Sequence, residues 1–523
     1  MDALNALTAF GENPPDTRAV VAVSTVGLVF AYYVNKAIKA WRANPGRLPY
    51  PPGPRPLPLV GNVPDIPQTF PWLTYTEWGR KYGPLVHLTA FGDHILVINS
   101  AKMADDLLEK RSQIYSDRPS IPMIGFMGWG FNMGFMQYGD KWRTYRRLMH
   151  QFFKKEATAY YRPIQRAKIH DMLRQVLATP ADFRDHIRTE AAAIIMASVY
   201  GYDVKPVKDE FVRIAEDAVA RLGVGVFSPI NMAPWVRFLP GWLPGCGFQK
   251  FLSDTRAVVK KMKEVPYEWA KANMLQGIDS TSVVAKMLET GQGQAGSVDE
   301  EMCQAVAGLA YAAGADTTVS AISTLFLVLA MHPEVQKRAQ ADIDAVVGPN
   351  RLPDFSDRPR LPYIDAIYRE ILRWRPILPL SVAHGTTEDD IYEGYFIPKG
   401  TTVFANVWAM SYEESVFPEP AKFRPERYLT ADGKLTDDPR MDITVFGHGR
   451  RICAGRYVAE ESVWLSIASI LASFDVTKKK GVDIPGTYCD GLIIHPHPFE
   501  CNIVPRSADA RALVEATVDA VYD

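Results

Sequence analysis

The sequence predicts a mainly α-helical fold with a minor β-sheet, arranged as one large globular body behind an N-terminal membrane anchor. Three observations carry this. Apolar residues recur with helical spacing from about Ala101 to about Arg375. A long stretch ending at Met331, just before Pro333, is apolar nearly all round, the pattern of a helix that crosses the middle of a fold. Residues 19–34 (AVVAVSTVGLVFAYYV) contain no charged side chain. Length alone, 523 residues, would suggest about three to four domains. No repeat or long linker divides the chain, and the small-polar run Gly291 to Ser297 is too short to separate two bodies. Lys and Arg total 58 against 59 Asp and Glu, so the net charge is −1. That balance lacks the basic excess of a nucleic-acid-binding protein, and no nucleic-acid partner is expected. A hydrophobic content of 47% excludes wholesale disorder. Five cysteines in this length do not make a disulfide framework.

The anchor is read first. Sixteen uncharged residues are short for a helix that must cross the bilayer, but Asn35 and snorkelling neighbours extend the span to 19–35. Residues 1–18 carry Asp2, Glu12, Asp16 and Arg18, a net of −2. Residues 36–55 carry Lys36, Lys39, Arg42, Arg47 and Arg55 without an acid, a net of +5. The positive-inside rule places 1–18 in the lumen and the body in the cytosol. A cleaved signal peptide would need a basic stretch ahead of the apolar one, and none is present. Residues 36–62 form a basic and proline-rich hinge, whose part LPYPPGPRPLPLVGN (48–62) reads as a stiff spacer because proline locks φ. The body is expected over 63–506, and a tail, 507–523, has no readable role.

Within the body, residues 85–98 read as a hairpin with a Gly-Asp turn. Ser297-Val-Asp-Glu300 reads as a capping box opening the long helix, which spans about 50 Å at 1.5 Å per residue. A second helix starts near Pro362 and ends near Trp374, because Pro376 restricts Arg375. Between 380 and 405 the pattern turns to strands, with a turn at Pro398-Lys-Gly400.

The strongest chemical signal is Phe446-Gly-His-Gly-Arg-Arg-Ile-Cys-Ala-Gly455. Cys453 sits in a glycine-rich loop just ahead of a helical stretch, Arg456 to Phe474. The helix N-terminus and nearby arginines are expected to push the thiol toward thiolate, and glycines let backbone N–H groups approach the sulfur. A buried structural cysteine is the plain alternative; a cysteine protease would need a partner histidine arrangement that nothing local supplies. The segment resembles the haem-binding loop of the cytochrome P450 family, Phe-x-x-Gly-x-Arg-x-Cys-x-Gly. All five fixed positions match, at Phe446, Gly449, Arg451, Cys453 and Gly455.

The other motifs gain weight beside that resemblance. Ala313-Gly-Ala-Asp-Thr-Thr318 interrupts the long helix with small residues, and Gly314 costs about 1 kcal/mol against alanine there. The small side chains would let a flat cofactor approach, so Gly314 is counted with the cofactor-binding residues. The motif resembles the family's oxygen-activation motif, which implies Asp316 and Thr317 as catalytic proton-relay groups. Glu370-Ile-Leu-Arg373 puts two opposite charges on one helix face. A solvated pair is the bland reading. In the family these residues join an arginine from a Phe-x-Pro-x-Arg segment, here Phe423-Arg-Pro-Glu-Arg427, and the resemblance implies a structural ion network of Glu370, Arg373 and Arg427. Trp142-Arg-Thr-Tyr-Arg146 resembles the family's Trp-x-x-x-Arg helix, implying Trp142 and Arg146 at a haem propionate, with Arg451 and His384 as further partners. These motifs stand in family order between residue 48 and about 505.

The resemblance implies a mainly α, cytochrome P450-type fold and a haem-thiolate monooxygenase. Haem b would be bound through Cys453 as axial ligand of the iron. Electrons would come from NADPH through a membrane-bound NADPH–cytochrome P450 reductase, with cytochrome b5 as a further candidate partner. Lys141, Arg143, Arg147, Lys154 and Lys155 are a candidate docking face for it, or simply a solvated basic one. The expected location is the endoplasmic reticulum membrane, single-pass, with the catalytic domain facing the cytosol. Residues 121–136 (IPMIGFMGWGFNMGFM), 377–382 and 491–494 would line a pocket for a small hydrophobic substrate, entered past Phe227, Trp235, Phe238 and Trp242. The chain resembles fungal microsomal members of secondary metabolism, which act on terpenoid, polyketide or indole-derived compounds. An oxygen-independent haem-thiolate isomerase or dehydratase is the alternative, against which the intact Ala-Gly-x-Asp-Thr sequence speaks. Cys246, Cys303, Cys489 and Cys501 carry no readable role.

Overall fold

The computed structural model describes residues 42–519 except 207, 227, 233–247, 292–298 and 443, together with Gly27, Asn35, Lys36 and Ile38. The expected spanning segment 19–35, Cys246 and the expected pocket entrance at Phe227, Trp235, Phe238 and Trp242 therefore lie outside the described residues, apart from Gly27 and Asn35.

Helices of twelve residues or more are labelled here in chain order: α1 (Pro71–Tyr82), α2 (Asp140–Phe153), α3 (Arg162–Ala178), α4 (Phe183–Tyr200), α5 (Glu210–Val226), α6 (Phe248–Leu275), α7 (Glu300–Met331), α8 (Pro333–Val346), α9 (Pro362–Trp374) and α10 (Arg456–Ser473). The strands are short: β1 (Leu85–Ala90), β2 (Asp93–Ile98), β3 (His384–Gly385), β4 (Asp390–Tyr392), β5 (Tyr395–Ile397), β6 (Thr402–Ala405), β7 (Phe474–Lys478) and β8 (Cys501–Pro505). The main sheet runs β1-β2-β6-β3. Its first pair is the expected hairpin, antiparallel from Leu85 opposite Ile98 to Ala90 opposite Asp93. β6 joins β2 in parallel, and β3 pairs with β6 in the antiparallel sense, fixing His384 opposite Val403.

α7 is the spine of the molecule. It opens two residues later than the sequence suggests. Its cap is Asp299, whose side chain accepts from the Glu301 N–H, and not Ser297, which lies outside the described residues. The two halves of α7 belong to two different apolar cores. Cys303 to Ala312 packs with residues of α2, α4, α5 and α6. Val319 to Ala330 packs with α3, α8, α9 and α10. Between them, at the seam of the two cores, Ala313 is exposed and residues 314–317 are half-buried. A helix so apolar is fully covered everywhere else along its middle, which makes this stretch a window.

Two segments read as appendages are part of the body. The proline-rich stretch is fastened along the sheet and is no free spacer: the His87 N–H donates to the Pro52 carbonyl at 2.9 Å, the Phe396 N–H to that of Pro49 at 2.8 Å. After Arg506 the chain forms a helix, Ala508–Ala516, with Val514 fully buried in the second core.

One buried acid in this frame is measurable. Glu190 of α4 is 2% exposed, accepts a 3.2 Å hydrogen bond from Ser466 Oγ, and its second carboxyl oxygen is buried without a partner. Burial raises its pKa from 4.5 to about 8. The folded state therefore holds the proton, and a folding penalty builds as pH rises from 4.5 to about 8, then levels off. Glu190→Gln should stabilise the protein by on the order of 3 kcal/mol at pH 7 and by nothing near pH 4.5, read from denaturant midpoints at several pH values. A stability gain independent of pH would refute the assignment.

Candidate functional site

Cys453 lies where the glycine-rich loop meets the N-terminus of α10. The loop is folded back on itself: the Cys453 N–H donates to the Phe446 carbonyl at 2.8 Å. Gly449 has φ +55°, and a Cβ there would overlap the Leu108 carbonyl oxygen, so only glycine fits. Its N–H donates to Glu109 at 2.6 Å. Cys453 is the exposed cysteine among the described ones; Cys303 is buried, Cys489 and Cys501 half-buried. Although the residue is exposed, protein surrounds the thiol closely enough that desolvation is the largest influence and raises its pKa. The Gly455 and Arg456 N–H groups and the charges of Arg146 and Arg456 pull the other way. The expected drift toward thiolate is thus overridden by burial in the chain by itself.

The basic residues expected around a carboxylate-bearing group do converge. Arg451 is 9% exposed; its Nε donates to the Ser116 carbonyl at 2.7 Å, and its two terminal nitrogens to Met133 at 3.2 Å and Met136 at 2.7 Å. Trp142, on the buried side of α2, lies under that guanidinium at 4.4 Å. Arg146, one turn further along α2, is half-buried and acts electrostatically on both Arg451 and Cys453.

His384 is buried, with Nδ1 2.7 Å from the Tyr115 carbonyl. A carbonyl only accepts, so Nδ1 carries the proton. Burial and then Arg118 hold its pKa well below the imidazole range. In the chain by itself these influences favour its uncharged form.

Arg118 was not readable in the sequence. It is 6% exposed and donates to the carbonyls of Gly134, Val382 and Ala383, each at 2.8 Å. Burial lowers its pKa well below the usual arginine value, and Arg451 adds to the effect. The acid acting on both Arg118 and Arg451 is Asp117, whose Oδ1 already accepts from the Arg118 and Tyr138 N–H groups. Three arginines and one committed carboxylate leave a buried cluster short of negative charge.

The window on α7 supplies the other side. Ala315, at the window, and Ala454, beside Cys453, pack on the same apolar core. Thr317 Oγ1 donates to the Ala313 carbonyl at 2.9 Å, so its oxygen stays available as an acceptor. Asp316 reaches His495 Nε2, 3.3 Å from Oδ1 and 3.4 Å from Oδ2. At Gly314 a Cβ would meet the Ile195 side chain of α4 at 2.7 Å, so close helix packing also favours glycine there.

Glu370, Arg373 and Arg427 form the expected ion network. Glu370 is fully buried, with Arg373 on it at 2.7 and 2.8 Å and Arg427 Nε at 3.1 Å. The Arg424 N–H donates to it at 2.8 Å. The arginines' remaining donors hold the carbonyls of Ser411, Pro418 and Lys422.

The expected pocket linings divide. Met127 and Trp129 of the 121–136 segment are fully buried in the core and face no open space. Residues 377–382 and 491–494 meet through the Ile494 N–H on the Ile377 carbonyl at 3.0 Å.

This chain belongs to the cytochrome P450 family, whose model matches residues 51–503. It is 39% identical over 517 residues to cytochrome P450 monooxygenase COX1 of Coprinopsis cinerea, covering 95% of this chain and 99% of that one. It is 40% identical over 513 residues to cytochrome P450 monooxygenase 208 of Postia placenta, covering 96% and 97%. A zebra fish cytochrome P450 solved with abiraterone has the same fold, with a TM-score of 0.67 at 23% identity, covering 84% of this chain and 100% of that one. Members are oxidoreductases that use haem b with an axial cysteine thiolate.

The residues present fit that group. The thiol of the exposed Cys453 faces two backbone N–H donors at a helix start, and the buried arginine cluster lacks the negative charge that two propionates carry.

Proposed function

We propose that this chain is a microsomal monooxygenase that takes electrons from NADPH through a reductase and oxidises a small hydrophobic secondary metabolite. The observation that carries this is the window on α7, where Asp316 and Thr317 stand over the same core as the Cys453 loop. Cys453 would hold the haem iron, and Arg118, Arg146 and Arg451 the propionates, with Trp142 supporting Arg451. Phe446 fixes the loop through its carbonyl. Bound haem supplies dioxygen activation, so that one oxygen atom enters a C–H or C=C bond and the other leaves as water.

What the chain itself contributes is position and protons. Thr317 keeps a proton on the Ala313 carbonyl and an acceptor oxygen toward the window. Asp316, half-exposed, can exchange protons with solvent and pass them along α7. Thr317→Ala should cut product formed per NADPH oxidised by about tenfold, with hydrogen peroxide making up the difference, because two electrons and two protons then leave on O2. Equal product per NADPH in the two proteins would remove Thr317 from the relay.

The anchor (19–35), the hinge and the cytosol-facing body on the endoplasmic reticulum complete the reading. The exposed Leu57, Leu59, Phe70, Leu73 and Phe91 beside the hinge support a body resting on lipid. Terpenoids, polyketides and indole-derived compounds are the substrate classes to screen. The test is a product screen of membranes carrying this chain and an NADPH–cytochrome P450 reductase, with and without cytochrome b5. Substrate turnover in the absence of oxygen would instead favour an isomerase or dehydratase.

A further inference from the structure

Asp316, Ser320 and Thr324 are spaced by four on α7 and so share one face of the helix. All three meet the same short segment. Ser320 Oγ donates to the Ile494 carbonyl at 2.6 Å, and the Tyr488 hydroxyl donates to Thr324 Oγ1 at 3.1 Å. His495 closes the row at Asp316. The backbone of His495 is itself fixed: its N–H donates to Cys489 Sγ at 3.2 Å, and its carbonyl accepts from the Cys489 N–H at 2.9 Å. The ring is thus delivered to Asp316 by a loop tied to α7 at three successive turns.

We infer that His495 is a positioning residue for Asp316, holding its carboxylate in the orientation from which protons enter the α7 window; this rests on the proton-relay reading above. The contact is long for a hydrogen bond. It orients the carboxylate and still lets it go. The charged surroundings require such a holder. Glu216 of α5 acts on Asp316 as a like charge, with Asp185 and Arg188 of α4 behind it. Loss of His495 is expected to let the carboxylate turn away from Glu216. The same loop carries residues 491–494, expected to line the substrate pocket, so the holder of the proton donor and the wall of the pocket are one element.

The test uses the full-length, haem-loaded protein with reductase. His495→Ala should lower product per NADPH by about tenfold, with matching peroxide release, while the ferrous carbon monoxide band stays as in the parent. Amide exchange over residues 489–495 should accelerate. His495→Gln, which keeps a donor toward Asp316, should restore most of the coupling. In an Asp316→Asn background, His495→Ala should add nothing further, as expected of two groups that act as one. Parent-like coupling in His495→Ala while Asp316→Asn uncouples would overturn the inference and leave the relay standing. Additive losses in the double variant would also overturn it. Parent-like coupling in both Asp316→Asn and Thr317→Ala would overturn the relay reading itself. Should the alanine variant fail to bind haem, His495→Gln and His495→Asn carry the same comparison: retained coupling with glutamine and loss with asparagine, whose shorter arm does not reach, supports the inference, and equal behaviour of the two overturns it.

Discussion

Cys453→Ser should give a folded protein whose ferrous carbon monoxide spectrum lacks the thiolate red shift and whose product formation falls by more than about a hundredfold. That is the size already lost when only the outer partners of a metal ligand are removed. The reasoning starts from the loop. Gly449 is forced by its φ and by Leu108, the Cys453 N–H is bound to Phe446, and the Gly455 and Arg456 N–H groups face the sulfur. The Gly449 turn and the Cys453 N–H bond do not depend on the thiol, and a hydroxyl can still accept from the Gly455 and Arg456 N–H groups, so serine should keep the loop and lose the ligand. A Cys453→Ser protein with an unchanged carbon monoxide band would transfer the ligand role to another residue.

Glu370→Ala should be the most destabilising of the surface-distant changes, costing about 3–5 kcal/mol and much of the bound haem. Removing this carboxylate leaves Arg373 and Arg427, both with side chains 2% exposed, as buried cations facing each other, and orphans the Arg424 N–H. Glu370→Gln should fall between, since it keeps an acceptor but not the charge. Denaturant unfolding and haem content per chain measure both. An alanine variant within about 1 kcal/mol of the parent would show that the network contributes little to the fold.

Most of this site could be read from the chain because its chemistry is local. The Cys453 loop, the α7 motif, the Glu370–Arg373 turn and the β1–β2 hairpin each join residues within one turn or one loop. What could not be read joins distant residues through generic atoms. Arg118 is held by carbonyls of Val382 and Ala383, 264 and 265 positions away, and every residue has a carbonyl. His495 meets Asp316 across 179 positions. The close packing of Gly314 on Ile195 also joins two helices and left no mark in the local sequence. The cap at Asp299 displaced Ser297 because both residues can cap and only the backbone decides between them. The roof was overread for the same reason: Met127 and Trp129 look like pocket wall in a one-dimensional pattern, but they belong to a core.

The three carbonyls held by Arg451 belong to Ser116, five residues ahead of the 121–136 segment, and to Met133 and Met136 at its far end. An arginine two positions from Cys453 thus ties the chain ahead of that segment to its far end by atoms common to all amino acids. The grip does not depend on the side chains of the stretch between, of which those outside the core, unlike Met127 and Trp129, are free to change. The chemistry below stays constant while the shape above is free to diverge. This is a workable physical basis for one lineage of oxidation catalysts acquiring many different substrates.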